Sequence, residues 1–355
     1  MPAPATAKTS AGNFFEDFSI GKVFHHATPR TVSDGDIALY TALYGGRFAV
    51  QSSAVFASGL GYKAQPVDDL LAFHVAFGKT VPEISLNAVA NLGYAECLFG
   101  VPVYAGDTLS TTSEVIGIKE NSNGKTGVVY VRSIAVNQRN ETVVDYKRWV
   151  MVNKRDVNSP APVATLPALK EAMAVTDLVV PAGTDLGAYD TTLAGSADLW
   201  DAYLPGEKIN HVDGSTVEEA EHMLATRLYQ NTAKVHFNQF AQSQGRFGKR
   251  LVYGGHVISI ARALSFNGLA NAYRIAAINA GAHANPIFAG DTVFAWSEVL
   301  DKAACPGRTD VGALRLRTVA TKDHPPADFP LRGEDGKYLP HVVLDLDYWV
   351  LMPRG

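Results

Sequence analysis

The sequence predicts an α+β fold built twice over, and three observations carry that prediction. The chain repeats itself at a nearly constant shift of 185 residues. In each copy helical patterning precedes β-rich patterning, the order of an α+β unit. One segment, residues 255–266, is apolar on almost every face, as a helix enclosed by other elements is.

The repeat is collinear. Phe15-Glu-Asp-Phe-Ser-Ile-Gly21 answers Trp200-Asp-Ala-Tyr-Leu-Pro-Gly206. The same shift pairs His26 with His211, Thr31 with Thr216, and Tyr44 with Tyr229. Pro102-Val-Tyr-Ala-Gly-Asp-Thr108 matches Pro286-Ile-Phe-Ala-Gly-Asp-Thr292 at a shift of 184. Trp149-Val150 answers Trp349-Val350 at 200, so about 16 residues were added to the second copy, near Asp323-His-Pro-Pro-Ala-Asp. A period this long marks duplicated domains rather than a solenoid. The expected units are residues 10–155 and 195–355, joined by an Ala/Pro-rich linker over 156–194 that contains Asn158-Ser-Pro-Ala-Pro.

In the second copy, residues 216–229 begin with Glu218, Glu219 and Glu221, which suit a helix N-terminus. A short helix is expected at 238–244. The apolar helix at 255–266 should stop at Asn267-Gly268. Strands follow at 273–280, 292–300, 312–320 and 342–351, of which Thr292-Val-Phe-Ala-Trp-Ser-Glu-Val and Leu314-Arg-Leu-Arg-Thr-Val alternate most clearly. The first copy repeats the order, with strands near 109–118, 127–136 and 143–152.

Composition narrows the partners. With 47% hydrophobic residues and a net charge of −4, the chain can bury large cores and has no general affinity for nucleic acid or membrane surfaces. Cys97 and Cys305 make no disulfide framework. No apolar run reaches membrane-spanning length, and the N-terminus lacks the regions of a signal peptide. A cytoplasmic protein with a loose start over residues 1–8 is expected. His25-His26 lacks partners at metal-ligand spacing, and neither a dinucleotide fingerprint nor a Gly-x-Ser-x-Gly elbow is present. No metal or cofactor is therefore expected.

The second copy reads Tyr229-Gln-Asn231-Thr-Ala-Lys-Val-His236, then Phe240-Ala241, then Leu251-Val-Tyr-Gly254. This resembles, without a gap, the hydration motif of MaoC-like dehydratases and (R)-specific enoyl-CoA hydratases. Phe15-Glu-Asp-Phe, His26-Ala-Thr-Pro-Arg30 and Asn91-Leu-Gly-Tyr-Ala-Glu96 resemble the bacterial mesaconyl-CoA (2-methylfumaryl-CoA) hydratase branch. The resemblance implies a double hot dog, in which each buried helix is wrapped by an antiparallel sheet. It implies a hydro-lyase interconverting mesaconyl-CoA and β-methylmalyl-CoA, with an acyl-CoA as its ligand and a homodimer as its assembly. Two alternatives stand beside it. A hot-dog thioesterase would release free CoA thiol, and a non-catalytic acyl-CoA-binding protein would fail to hydrate any enoyl-CoA.

The resemblance also assigns roles. His236 takes the family's acid/base histidine position, since imidazole titrates near neutrality. Gly254, at the start of the apolar helix, takes the oxyanion position, where a backbone N–H meets developing charge. Asn231 stands where the family has Asp. An amide cannot exchange a proton, so Asn231 is expected only to position water or substrate. Tyr229, Tyr253 and Gly255 are further binding candidates, with His256 behind them. The first copy has Gly46 and Gln51 at the two catalytic positions and is expected to shape the tunnel instead. Arg47 and Arg30 are its candidates for holding the substrate's free carboxylate. If His236 is not the acid/base, Glu221, Asp213 and Asp36 are the candidates, each close in sequence to the motif or to its first-copy counterpart. The two Ala-Gly-Asp-Thr segments are expected to be structural turns.

Overall fold

The computed structural model describes residues 8–355, so the loose start expected at the N-terminus falls almost wholly outside the described residues. The first copy contributes β1 (Val23–His25), β2 (Arg30–Thr31), α1 (Asp34–Tyr44), α2 (Asp69–Thr80), β3 (Ala88–Phe99), β4 (Thr108–Glu120), β5 (Thr126–Val136) and β6 (Thr142–Asn153). The second contributes β7 (Lys208–Thr216), α3 (Glu219–Leu228), α4 (Gly254–Leu264), β8 (Arg274–Ala282), β9 (Thr292–Ala304), β10 (Val311–Lys322) and β11 (Val342–Pro353). One antiparallel sheet runs through both in the order β1-β4-β5-β6-β3-β8-β11-β10-β9-β7, with β2 pairing β4. The two copies meet edge to edge at β3 and β8, where Tyr94 faces Gly281 and Cys97 faces Ile278. Two sheet edges that would otherwise expose unpaired backbone groups are thereby satisfied.

Helices α2 and α4 lie against this curved sheet. Every residue of α2 after Asp69 is buried, and α4 is buried from Gly255 to Arg262. That is why residues 255–266 show no polar face. Helix α1 is closed by a capping box, in which the Ser33 hydroxyl accepts the Asp36 N–H and the Asp36 carboxylate accepts the Ser33 N–H.

Several boundaries differ from expectation. Residues 208–216 form the edge strand β7, paired with β9, so α3 begins only at Glu219. The helix expected at 238–244 is one turn, Gln239–Gln242. The chain leaves α4 at Leu264 and turns again through Asn267 and Gly268, where Gly268 takes φ 105°. Strand β3 is not among the strands that the pattern predicts, because Ala88-Val-Ala-Asn-Leu-Gly carries two turn-forming residues in its first half.

Residues 156–194 run as a strap over the sheet. Thr165 pairs with Ile118, the Met173 N–H donates to Asn279 at 2.8 Å, and the Trp349 indole donates to the Met173 carbonyl at 3.1 Å. Met173 and Leu186 cover the apolar patch of Ala276, Ala277, Trp349 and Leu351 beside the seam. Both Ala-Gly-Asp-Thr segments are tight turns. Gly106 and Gly290 take φ of 92° and 94°, and Asp107 and Asp291 each accept a backbone N–H three residues back.

The Tyr44 and Tyr229 hydroxyls lie 2.7 Å apart, and His74 Nε2 lies 3.1 Å from Ser259 Oγ. Both pairs are separated by 185 residues. Each residue thus touches its own repeat counterpart, which puts the local twofold axis between them.

Candidate active site

The candidate site is assembled from four segments. Asn231 ends the turn after α3. Its side-chain oxygen accepts the Ala233 N–H at 2.9 Å, which bends the chain into the single helical turn Lys234–His236. His236 Nδ1 lies 2.9 Å from the Leu251 carbonyl. A carbonyl only accepts, so Nδ1 carries the proton and Nε2 keeps its lone pair. The ring packs edge-on to Tyr253 with centroids 5.4 Å apart.

Tyr253 is the N-cap of α4, and Gly254 and Gly255 are its first two residues. First-turn N–H groups have no acceptor within their own helix and point out of its positive end. A side chain at Gly254 would put its Cβ 2.3 Å from the His283 ring, and one at Gly255 would meet Tyr253 and His74. Glycine here keeps the helix start open to a second group. His283, just beyond β8, also lies 3.2 Å from the Tyr94 hydroxyl through Nε2.

Burial holds the imidazoles neutral. His236 and His283 are both pushed down to about 4 by loss of water, the Leu251 carbonyl partly opposing this at His236. His74 and His256 are pushed down to about 3 for the same reason. Burial also raises the hydroxyls of Tyr94, Tyr229 and Tyr253, so they remain donors.

The other sequence-nominated residues lie around this centre. Tyr229 is fully buried, with its ring on His74 at 4.7 Å and its hydroxyl on Tyr44, which in turn meets His256 Nδ1 at 2.8 Å. Arg30 is ion-paired with Asp36 at 2.5 Å and donates to the Leu228 carbonyl. Arg47 is exposed, with its guanidinium on the Phe266 ring. It lines a cavity of about 150 Å³ that also contains Tyr44, Asp213 and Asn267. Asp213 lines that cavity, and Asp36 is paired with Arg30. Glu221 makes no bond to His236 either, so no carboxylate among the described residues bonds that ring.

The equivalent positions of the first copy carry different side chains. Tyr40, Gly46, Phe48, Gln51 and Asp68 line a small cavity of about 30 Å³. Gln51 occupies the histidine position and donates to the Tyr273 carbonyl at 2.7 Å. Asp69 stands where Gly254 stands in the second copy, so a carboxylate replaces the open helix start. Burial raises it to about 6.

His283 and Tyr94 escape sequence reasoning. Tyr94 lies within the motif Asn91-Leu-Gly-Tyr-Ala-Glu96, but nothing in its spacing ties it to His236. His283 has no histidine counterpart in the first copy. Only the β3–β8 seam brings the two together.

Comparison with known proteins identifies the frame that holds these residues. A sequence profile of mesaconyl-CoA hydratase matches residues 4–329. The chain belongs to the mesaconyl-CoA hydratase family. A member from Chloroflexus aurantiacus, named β-methylmalyl-CoA dehydratase, is 64% identical over 349 residues, 98% of this chain and 99% of the relative. A solved structure from the same organism, described as a MaoC domain protein dehydratase, is 64% identical, covers 99% of this chain and 100% of its own, and superposes with a TM-score of 0.97. A conserved protein from Mycobacterium tuberculosis, described as a double hot dog, is 24% identical with a TM-score of 0.74, over 97% of this chain and 99% of its own. The fold is thus the MaoC-like double hot dog that the resemblance of residues 229–254 implies. Among the described residues no helix is long and apolar enough to cross a membrane, and no cluster of three or more His, Cys, Asp or Glu could hold a metal ion.

Proposed function

We propose that this chain catalyses the reversible hydration of mesaconyl-CoA to β-methylmalyl-CoA, with His236 as the acid/base. The observation that carries this assignment is the fixed tautomer of His236. Its Nδ1–H is held by the Leu251 carbonyl, which leaves Nε2 as the acceptor, and its ring packs on Tyr253, the residue that begins α4. In the forward direction Nε2 takes a proton from water as the oxygen attacks the β-carbon. The C=C electron pair shifts toward the thioester, and the carbonyl oxygen becomes an enolate oxygen. The Gly254 N–H donates to that oxygen, where an oriented donor typically contributes about 10²–10³ in rate. The imidazolium then returns its proton to the α-carbon, so water is added and the enzyme is restored. Asn231 keeps His236 in place through the turn it caps, and its amide N–H₂ can orient water or substrate.

The test compares His236→Ala and Asn231→Ala as folded variants, following loss of the enoyl absorbance of mesaconyl-CoA. Removing His236 should lower kcat/KM by about 10²–10⁴-fold. Removing Asn231 should cost much less. A His236→Ala enzyme of near-normal activity refutes the assignment, and release of free CoA thiol by the wild type would favour a thioesterase instead.

A further inference from the structure

Among the described residues Arg148 is the most deeply buried arginine, only 1% exposed, and no acid pairs with it. It lies on β6, directly opposite Tyr94 of β3 in the antiparallel register. Its guanidinium sits over the Phe77 ring at 4.2 Å. One nitrogen donates to Thr80 Oγ1 at 2.7 Å, two make long contacts to Ser85 Oγ at 3.4 Å, and Nε has no acceptor. The hydroxyls of Tyr146 and Tyr253 are also buried without partners. The other interior arginines are placed differently. Arg262 lies near Asp68 and Asp69, and Arg274 is 3.9 Å from Asp69.

Arginine stays ionised in a protein, and an ion removed from water without a counter-charge costs several kcal/mol. A guanidinium buried in the neighbourhood of Tyr146, Tyr94 and Tyr253, with an Nε donor unused and no acid beside it, is therefore matched to an anion that arrives with the substrate. Arg148 also lies on the catalytic side of the molecule. Phe77 beneath it packs against Tyr253 at 5.9 Å, and Tyr253 packs against His236. Across the strand, Tyr94 reaches His283.

We propose that Arg148 is the receptor for the free carboxylate of the acyl group, with the Tyr146 and Tyr253 hydroxyls as additional donors. This rests on the mesaconyl-CoA reading. In that substrate the carboxylate is bonded to the β-carbon, so fixing it also fixes the face of the double bond presented to His236. Neutralising it lowers the repulsion that an attacking hydroxyl would meet. Arg30 and Arg47 are then free of this role, one being paired with Asp36 and the other stacked on Phe266 at the surface.

The experiment uses the full-length protein with Arg148→Met and Arg148→Lys, and compares mesaconyl-CoA, its neutral carboxamide analogue and crotonyl-CoA. Arg148→Met should lose about 10²-fold or more in kcat/KM for mesaconyl-CoA, the range for one half of a buried charge pair, and change less than about 3-fold for the two uncharged substrates. Arg148→Lys should recover part of the loss for mesaconyl-CoA alone. Because an unpaired buried charge is removed, Arg148→Met should not lower Tm. Binding of mesaconyl-CoA by calorimetry in a His236→Ala background reads the same preference without turnover. An equal loss on all three substrates, or an unchanged preference in both variants and in binding, overturns the proposal. A wild type that binds mesaconyl-CoA through Arg148 but does not hydrate it sinks the activity and leaves the receptor standing.

Discussion

At the residue scale, the informative position is Asn231. The hydration motif that residues 229–254 resemble has an acid at this position, and an amide with the same outline still accepts the Ala233 N–H that sets the His236 turn. Asn231→Asp retains that acceptor and should keep near-wild-type stability, whereas Asn231→Ala loses it. The Ala variant should be less stable by about 0.5–2 kcal/mol, the range for a lost capping side chain. Urea denaturation of the two variants checks this. Equal stability of both would mean that the turn is held by other contacts, such as the Asn231 N–H bond to the Thr226 carbonyl.

At the element scale, close approach of the helices overrides propensity. Gly78 lies inside α2, where alanine would ordinarily gain about 0.5–1 kcal/mol. A Cβ there would stand 1.9 Å from the Tyr229 carbonyl oxygen, at the end of α3. Backbone cannot yield as a flexible side chain does, so Gly78→Ala should destabilise by about 1–3 kcal/mol or more, against the propensity trend. Gly59 ends a short helix, Ala54–Gly59, with nothing within 4 Å of the Cβ position. Gly59→Ala should be neutral or stabilising by up to about 1 kcal/mol. Opposite signs at these two glycines, read from denaturation midpoints, are the expected result. A stable Gly78→Ala variant would contradict the close packing of α2 against the second copy.

At the scale of the whole molecule, the interior is rich in neutral imidazole. His74, His256 and His283 each bond a residue of the other copy, His236 is buried against Leu251 and Tyr253, and His211 is buried against Ser297 of β9. In the unfolded chain each titrates near 6.5, while in the fold burial holds them at about 3 to 4. Below 6.5 the unfolded chain therefore binds more protons than the folded one. Stability should be level above neutrality and fall as pH drops from about 6.5 towards 4, by up to about 1.4 kcal/mol per pH unit for each histidine that stays neutral. Tm measured across that window should fall steeply. Replacing His74 or His256 with Gln should flatten the slope. A flat Tm profile would mean that these rings are hydrated in solution. For as long as the fold holds, kcat/KM should stay level well below 6.5, because His236 remains unprotonated.

The duplication, the α+β class, the central helix and the likeness of 229–254 to a hydration motif are legible in the sequence, because each is a pattern within one segment or between two aligned copies. Local periodicity reports the environment of its own element, so the buried face of α4 and the alternation of β9 and β10 can be read from the order of residues alone. The fate of Asn231, the pairing of His283 with Tyr94, and the isolation of Arg148 cannot. Tyr94 and His283 are 189 residues apart and meet because β3 and β8 share one register. Arg148 reads in sequence as an ordinary charged residue of a strand, in a chain with 31 lysines and arginines. Strand register turns it inward and α2 covers it, and no neighbour supplies an acid. Sequence patterns thus determined the duplication, most of the helices and strands, and which copy carries the hydration motif. Tertiary packing decided which charges lose their water, and so which side chains are left to meet the substrate.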